Sequence, residues 1–91
     1  MNKEEILSTV AEIVTETKVK AWMFQVEKNY YQVLEYGGVY RVPPSTGIWE
    51  CNKRGKRGAG KPIFSIDGKN IERCIDEFLD SIIEAKTETV E

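Results

Sequence analysis

Residues 52–62, NKRGKRGAGKP, concentrate positive charge in a chain whose formal net charge is −2. The stretch contains no acid, three glycines and five cations: Lys53, Arg54, Lys56, Arg57 and Lys61. Clustered cations attract phosphate groups, and glycine allows a backbone to approach a ligand closely. We call residues 52–62 the basic loop and predict that it is the contact site of the protein.

Charge is distributed unevenly along the 91 residues. Residues 52–73 carry seven Lys or Arg and two acids, whereas residues 74–91 carry one Lys and six acids. A basic centre between acidic flanks indicates a local anion-binding surface that the net charge conceals.

One interpretation of the basic loop is the phosphate-binding loop of nucleotide hydrolases. Gly55, Gly60 and Lys61 match the pattern G-x-x-x-x-G-K literally. That chemistry needs a Ser or Thr next, to hold magnesium, and a helix whose N–H groups meet the phosphates. Here Pro62 follows, and the next residues have the composition of a strand. We therefore set this interpretation aside.

The favoured interpretation is contact with DNA or RNA. The lysines and arginines would neutralise phosphates, and arginine would add bidentate contacts. Trp49, with Tyr30 or Tyr31, would offer ring faces for unpaired bases. Lys69 and Arg73, at the start of the last predicted helix, would extend the basic surface.

Three alternatives remain open at this point. The loop could enclose a small phosphorylated ligand such as a nucleotide, for sensing or sequestration. The protein could instead be an inhibitor or adaptor that binds a protein partner through an exposed sheet face or an acidic helix. In the third case the loop is solvated, and its charges only keep a sheet edge soluble.

The residue types argue against an enzyme. The chain contains no histidine, which removes the usual general base near neutral pH. Its two cysteines, Cys51 and Cys74, do not form a C-x-x-C pair, so we predict no zinc site, no other metal site and no cofactor. Cys74 falls on an apolar helical face and is predicted to be core. A structural role is favoured for Cys51 over a reactive thiol.

Hydrophobic periodicity predicts the elements. An Asn2 cap followed by apolar residues at helical spacing indicates a first helix, and an unbroken stripe from Ile71 to Ile83 indicates a last one. Gly37-Gly38 predicts a tight hairpin that pairs Tyr36 with Val39. The predicted helices cover about residues 2–17 and 70–85, the strands about 19–27, 30–36, 39–42, 47–51 and 62–66, and a tail covers 86–91.

These elements predict a single two-layer α+β domain: an N-terminal helix, an antiparallel meander of four to five strands and a C-terminal amphipathic helix. The order resembles that of double-stranded-RNA-binding domains, which run helix, three strands, helix. In that family cations cluster at the start of the second helix, where this chain has Lys69 and Arg73. No sequence motif of the family is present, and topology alone does not fix function.

We expect a small, non-enzymatic, cytoplasmic binding protein with no membrane association. The chain has no apolar stretch long enough for a transmembrane helix and no signal-peptide pattern. A homodimer is also expected, because the first strand has apolar residues on both faces. Stand-alone domains of this size often act as accessory or regulatory factors, including those of phages.

Overall fold

A computed structural model describes residues 2–14, 20–38, 41–58 and 60–90, without the side chains of residues 85–90. Its elements are α1 (Lys3–Leu7), β1 (Ala11–Val14), β2 (Lys20–Val26), β3 (Asn29–Tyr36), β4 (Ser45–Cys51), β5 (Phe64–Asp67) and α2 (Ile71–Val90). The strands form one antiparallel sheet in the order β1-β2-β3-β4-β5. The predicted α+β meander is confirmed, and its described part has more strands than the three of double-stranded-RNA-binding domains.

The predicted first helix over residues 2–17 is wrong beyond Leu7. Asn2 caps α1 as expected, because its side chain accepts the N–H of Glu4. At Thr9 the chain turns: the hydroxyl donates to the Ile6 carbonyl and accepts the N–H of Gln25 on β2. The next residues then pair with β2 as β1. A short apolar run fits helical and strand periods alike, and β-branched residues here favour the strand.

The predicted hairpin at Gly37-Gly38 is also wrong. Both glycines have positive φ, 79° and 81°, as a tight turn would need. However, Tyr36 pairs with Ser45, and Val33 pairs with Ile48. Between β3 and β4, the Gly38 N–H donates to the Val42 carbonyl.

The other boundaries shift by a few residues. β2, β3, β4 and β5 lie close to the predicted strands, whereas α2 continues to Val90 through most of the predicted tail. Part of the predicted first helix (15–17), the start of the strand at 19, residues 39–40 of the predicted third strand, and residue 91 of the tail lie outside the described residues.

The main core lies between the sheet and α2. We call this side of the sheet the helix face; it includes Phe24, Val33 and Ile48. The α2 stripe contributes Cys74, Ile75, Phe78 and Leu79, all buried, while the acids of α2 face solvent as predicted. Phe78 contacts the rings of Phe24, Tyr31 and Phe64. The predicted amphipathic helix therefore forms the helical layer that packs on the helix face of the sheet.

Thr46 joins the sheet to the start of α2. Its side chain is fully buried, and its hydroxyl donates to the Gly68 carbonyl and accepts the N–H of Asn70. Asn70 in turn caps α2 by accepting the N–H of Arg73. One hydroxyl thus holds the turn between β5 and α2.

Replacing Thr46 with Val keeps the shape but removes both bonds. We expect Thr46→Val to lower the free energy of unfolding by about 2 kcal/mol, at about 1 kcal/mol per bond. Thr46→Ser keeps the hydroxyl and loses only a buried methyl group, so it should lower the free energy of unfolding by about half as much. Urea denaturation measures both. A Val variant at least as stable as the Ser variant would contradict this role.

Candidate functional site

The basic loop begins as a compact turn organised by Asn52. The Asn52 side-chain oxygen accepts the N–H groups of Arg54 and Lys56 at 2.9 and 3.0 Å. Its carbonyl accepts the N–H of Gly55, and its own N–H donates to the Lys56 carbonyl. Gly55 has φ +85°, which favours glycine, and Arg57 forms a β-bridge with Cys51. The first half of the loop is therefore an extension of β4 with defined geometry.

The loop then lies across the sheet, on the side opposite to α2. We call this side the loop face; it includes Ala21, Gln32, Leu34 and Trp49, all buried. Gln32 donates from Nε2 to the Gly55 carbonyl at 3.2 Å, and Trp49 donates from Nε1 to the Gly60 carbonyl at 3.1 Å. The loop is thus hydrogen-bonded to the sheet at two points.

This cover bears on two of the sequence interpretations. A free solvated hairpin would not bury the residues beneath it, so the loop has a packing role as well as a charge. The protein-partner alternative relied partly on an exposed sheet face. Because α2 packs on one face and the basic loop bonds to Gln32 and Trp49 on the other, less of the sheet is exposed than that alternative assumed.

All five cations of the basic loop are exposed. Within the described ranges, none of them forms an ion pair with an acid. Arg57 is held differently, because its guanidinium lies 4.6 Å from the centre of the Trp49 ring. The loop therefore presents cations whose charges other side chains do not neutralise.

The aromatic residues predicted to stack on bases are less available than expected. Trp49 is only 8% exposed, with Tyr36 at its edge and Arg57 over its ring. Tyr31 lies on the helix face and stacks on Phe24. Tyr30 is half-buried. The register of the strands determines how deeply these aromatic rings are buried, and the composition of the strands does not predict that register.

Lys69 and Arg73 do not join the basic loop. Lys69 is exposed beside Gly38, near the end of the sheet where Ser45 pairs with Asp67. Arg73 belongs to α2, on the other side of the sheet, and pairs with Glu77 at 3.0 Å. The cluster is therefore confined to residues 53–61.

The acids of the last helix lie on the other side of the sheet from the basic loop. Five exposed carboxylates line α2: Glu72, Asp76, Glu77, Asp80 and Glu84. Lys3 of α1 bridges two of them, Asp76 and Asp80, and its hydrogen bonds to both raise its pKa. The sheet thus separates an acidic layer from a basic one.

Neither cysteine is an activated thiol. Burial raises the pKa of the half-buried Cys51, despite the cations that follow it in the chain. Burial, with a smaller contribution from Glu77, raises the pKa of Cys74 to about 11. In the described part of the chain, no group of three or more Cys, Asp or Glu is arranged to hold a metal ion.

The loop also differs from a phosphate cradle. It leads into β5 rather than a helix, and the N–H groups of Arg54, Gly55 and Lys56 already bond to Asn52. Two grooves on the described surface lie on the helix side, one lined by Ile6 and Thr9, the other by Leu7, Trp22 and Ile71. A phosphate at the basic loop would therefore meet mainly side-chain cations.

Two residues central to this arrangement, Asn52 and Gln32, were absent from the predicted site. An Asn placed three residues before a Gly is a typical turn signal, and it could have identified Asn52. Gln32 gives no such signal, since a polar residue in a strand normally indicates an exposed position. It is 1% exposed, and its Oε1 has no hydrogen-bond partner among the described residues.

A scan against protein-family models finds no match to this chain, and searches of curated proteins and of solved structures find none either. Among the described residues, no helix is both long and apolar enough to span a bilayer.

Replacing Asn52 with Ala removes the acceptor that organises the turn. We expect Asn52→Ala to lower the free energy of unfolding by about 1 kcal/mol, as the loss of a helix cap does. Asn29→Ala, at an exposed strand end, should change it by less than about 0.5 kcal/mol. Chemical denaturation compares the two. Equal effects would mean that the Asn52 side chain does not hold the loop.

Proposed function

We propose that this protein binds nucleic acid through the basic loop, without catalysing a reaction on it. The observation that carries the proposal is the loop itself: a hydrogen-bonded segment that spreads five exposed cations over one side of the sheet. Cations without acidic partners gain most from phosphate, because binding releases counterions and breaks no internal ion pair.

The separation of charge supports the proposal despite the net charge of −2. The acids of α2 lie beyond the sheet and a helix about 10 Å in diameter. Screening acts over about 8 Å at physiological salt. A polyanion that approaches the basic loop therefore experiences the cations strongly and the carboxylates weakly.

A polymer suits the loop better than a mononucleotide does. A small phosphorylated ligand usually gains much of its affinity from converging backbone N–H groups. Three of those groups are bonded to Asn52 here. Long cationic side chains along a loop instead match phosphates spaced along a nucleic-acid backbone.

We propose binding without catalysis because of the side chains that the protein has. The sequence contains no histidine, and burial raises the pKa of both thiols. Binding alone would make the protein an accessory or regulatory factor.

The test compares two triple variants that lose equal charge. One changes Lys53, Arg54 and Lys56 to Gln. The control changes Lys69, Arg73 and Arg41, an exposed residue between β3 and β4, to Gln. Fluorescence anisotropy with labelled DNA and RNA, at about 50 and 200 mM salt, gives the affinity and its salt slope. The slope should be less steep by about 2 to 3 for the loop variant, at about 0.7 to 0.9 per lost phosphate contact.

The affinity of the control variant should stay within about twofold of the wild-type affinity. Its three cations lie outside the basic loop, and their charges are screened by salt at that distance. Equal losses in both variants would mean that net charge, not the loop, governs binding. Failure of the wild type to bind any DNA or RNA at 50 mM salt would refute the proposal.

A further inference from the structure

Trp49 occupies an unusual position under the basic loop. Its indole N–H donates to the Gly60 carbonyl, and Tyr36 packs against it with ring centres 5.8 Å apart at 64°. These contacts fix the plane and the edge of the indole. Its ring is also covered by the guanidinium of Arg57, at 4.6 Å. A preformed aromatic platform is therefore capped by an exposed side chain, that of Arg57.

The cap can leave without unfolding the loop. The backbone of Arg57 is fixed by its bridge to Cys51, and the adjacent Lys56 carbonyl accepts the N–H of Asn52. The Arg57 side chain is exposed and has no acidic partner in the described residues. Rotation about its own side-chain bonds would uncover the indole.

The loop carries no bulky side chain at Gly58 or Gly60, and a Cβ atom at either position would meet nothing within 4 Å. The space that a ligand could take on the Trp49 ring is the space that the Arg57 guanidinium now occupies. A guanidinium and a nucleobase are both flat, and both stack on an indole face.

We propose that the basic loop prefers single-stranded to double-stranded nucleic acid, because an unpaired base replaces Arg57 on the ring of Trp49. A phosphate captures the released guanidinium through bidentate hydrogen bonds. Stacking of a base on an aromatic ring is generally worth more than a cation–π contact at an exposed site. A duplex cannot supply the base without unstacking it. This inference rests on the proposed function.

The test uses the intrinsic fluorescence of Trp49. Trp22, the other tryptophan, lies on the helix face and is replaced by Phe to leave Trp49 as the single reporter. The probes are an oligo-dT strand, a duplex of equal length and an abasic phosphodiester strand. Anisotropy of labelled probes measures affinity in parallel.

Oligo-dT should bind about tenfold or more tightly than the duplex and the abasic strand, and only oligo-dT should quench Trp49. In the free protein, Arg57→Ala should expose Trp49 to acrylamide, whereas the control Lys53→Ala should not. Arg57→Ala should also raise the ratio of single-strand to duplex affinity above that of Lys53→Ala, because no cap has to be displaced.

The outcomes separate the two proposals. Equal affinity for single strand and duplex, with Trp49 fluorescence unchanged at saturation, would overturn the stacking inference and leave loop-mediated binding intact. Failure to bind any of the three probes would overturn the stacking inference, and failure to bind RNA as well would overturn both.

Discussion

A sheet that is apolar on both faces must be covered on both, and this constraint determines where the basic loop lies. α2 can cover only the helix face. The loop face buries Ala21, Leu34 and Trp49, so another segment has to shield them. The connection from β4 to β5 contains the basic loop, and its glycines let it pack closely: a Cβ at Gly55 would lie 3.0 Å from Ile13. The basic loop thus both covers the loop face of the sheet and carries the cations.

Because the segment that covers the sheet also carries the cations, the loop can present them in a defined arrangement. Burial of the sheet beneath it and the bonds from Gln32 and Trp49 fix the backbone, while the lysines and arginines extend into solvent. A preformed cationic surface loses less entropy on binding than a flexible loop does. The same geometry places Arg57 over Trp49.

The parts of the fold that could be predicted are those with strong periodicity. α2 repeats its apolar stripe over several turns, and β2 to β4 alternate clearly. β1 could not be predicted, because four residues fit either period and only pairing with β2 decides between them. The predicted hairpin at Gly37-Gly38 was wrong for a similar reason. Both glycines have the positive φ that a turn needs, but the strand that pairs with β3 is β4, which begins only at Ser45. In the site, composition alone identified the cations, but the burial of Trp49 and the roles of Asn52 and Gln32 depend on register and long-range contacts.

A basic loop that covers the sheet has a rigid backbone, unlike a solvated loop that only carries charge. Backbone ¹⁵N relaxation of the free protein tests this rigidity most directly, at the amides of Arg54, Gly55 and Lys56, which bond to Asn52. We expect order parameters near 0.85, the typical value for rigid backbone, as in β3 and β4. Values below about 0.6, the range of flexible segments, would contradict it.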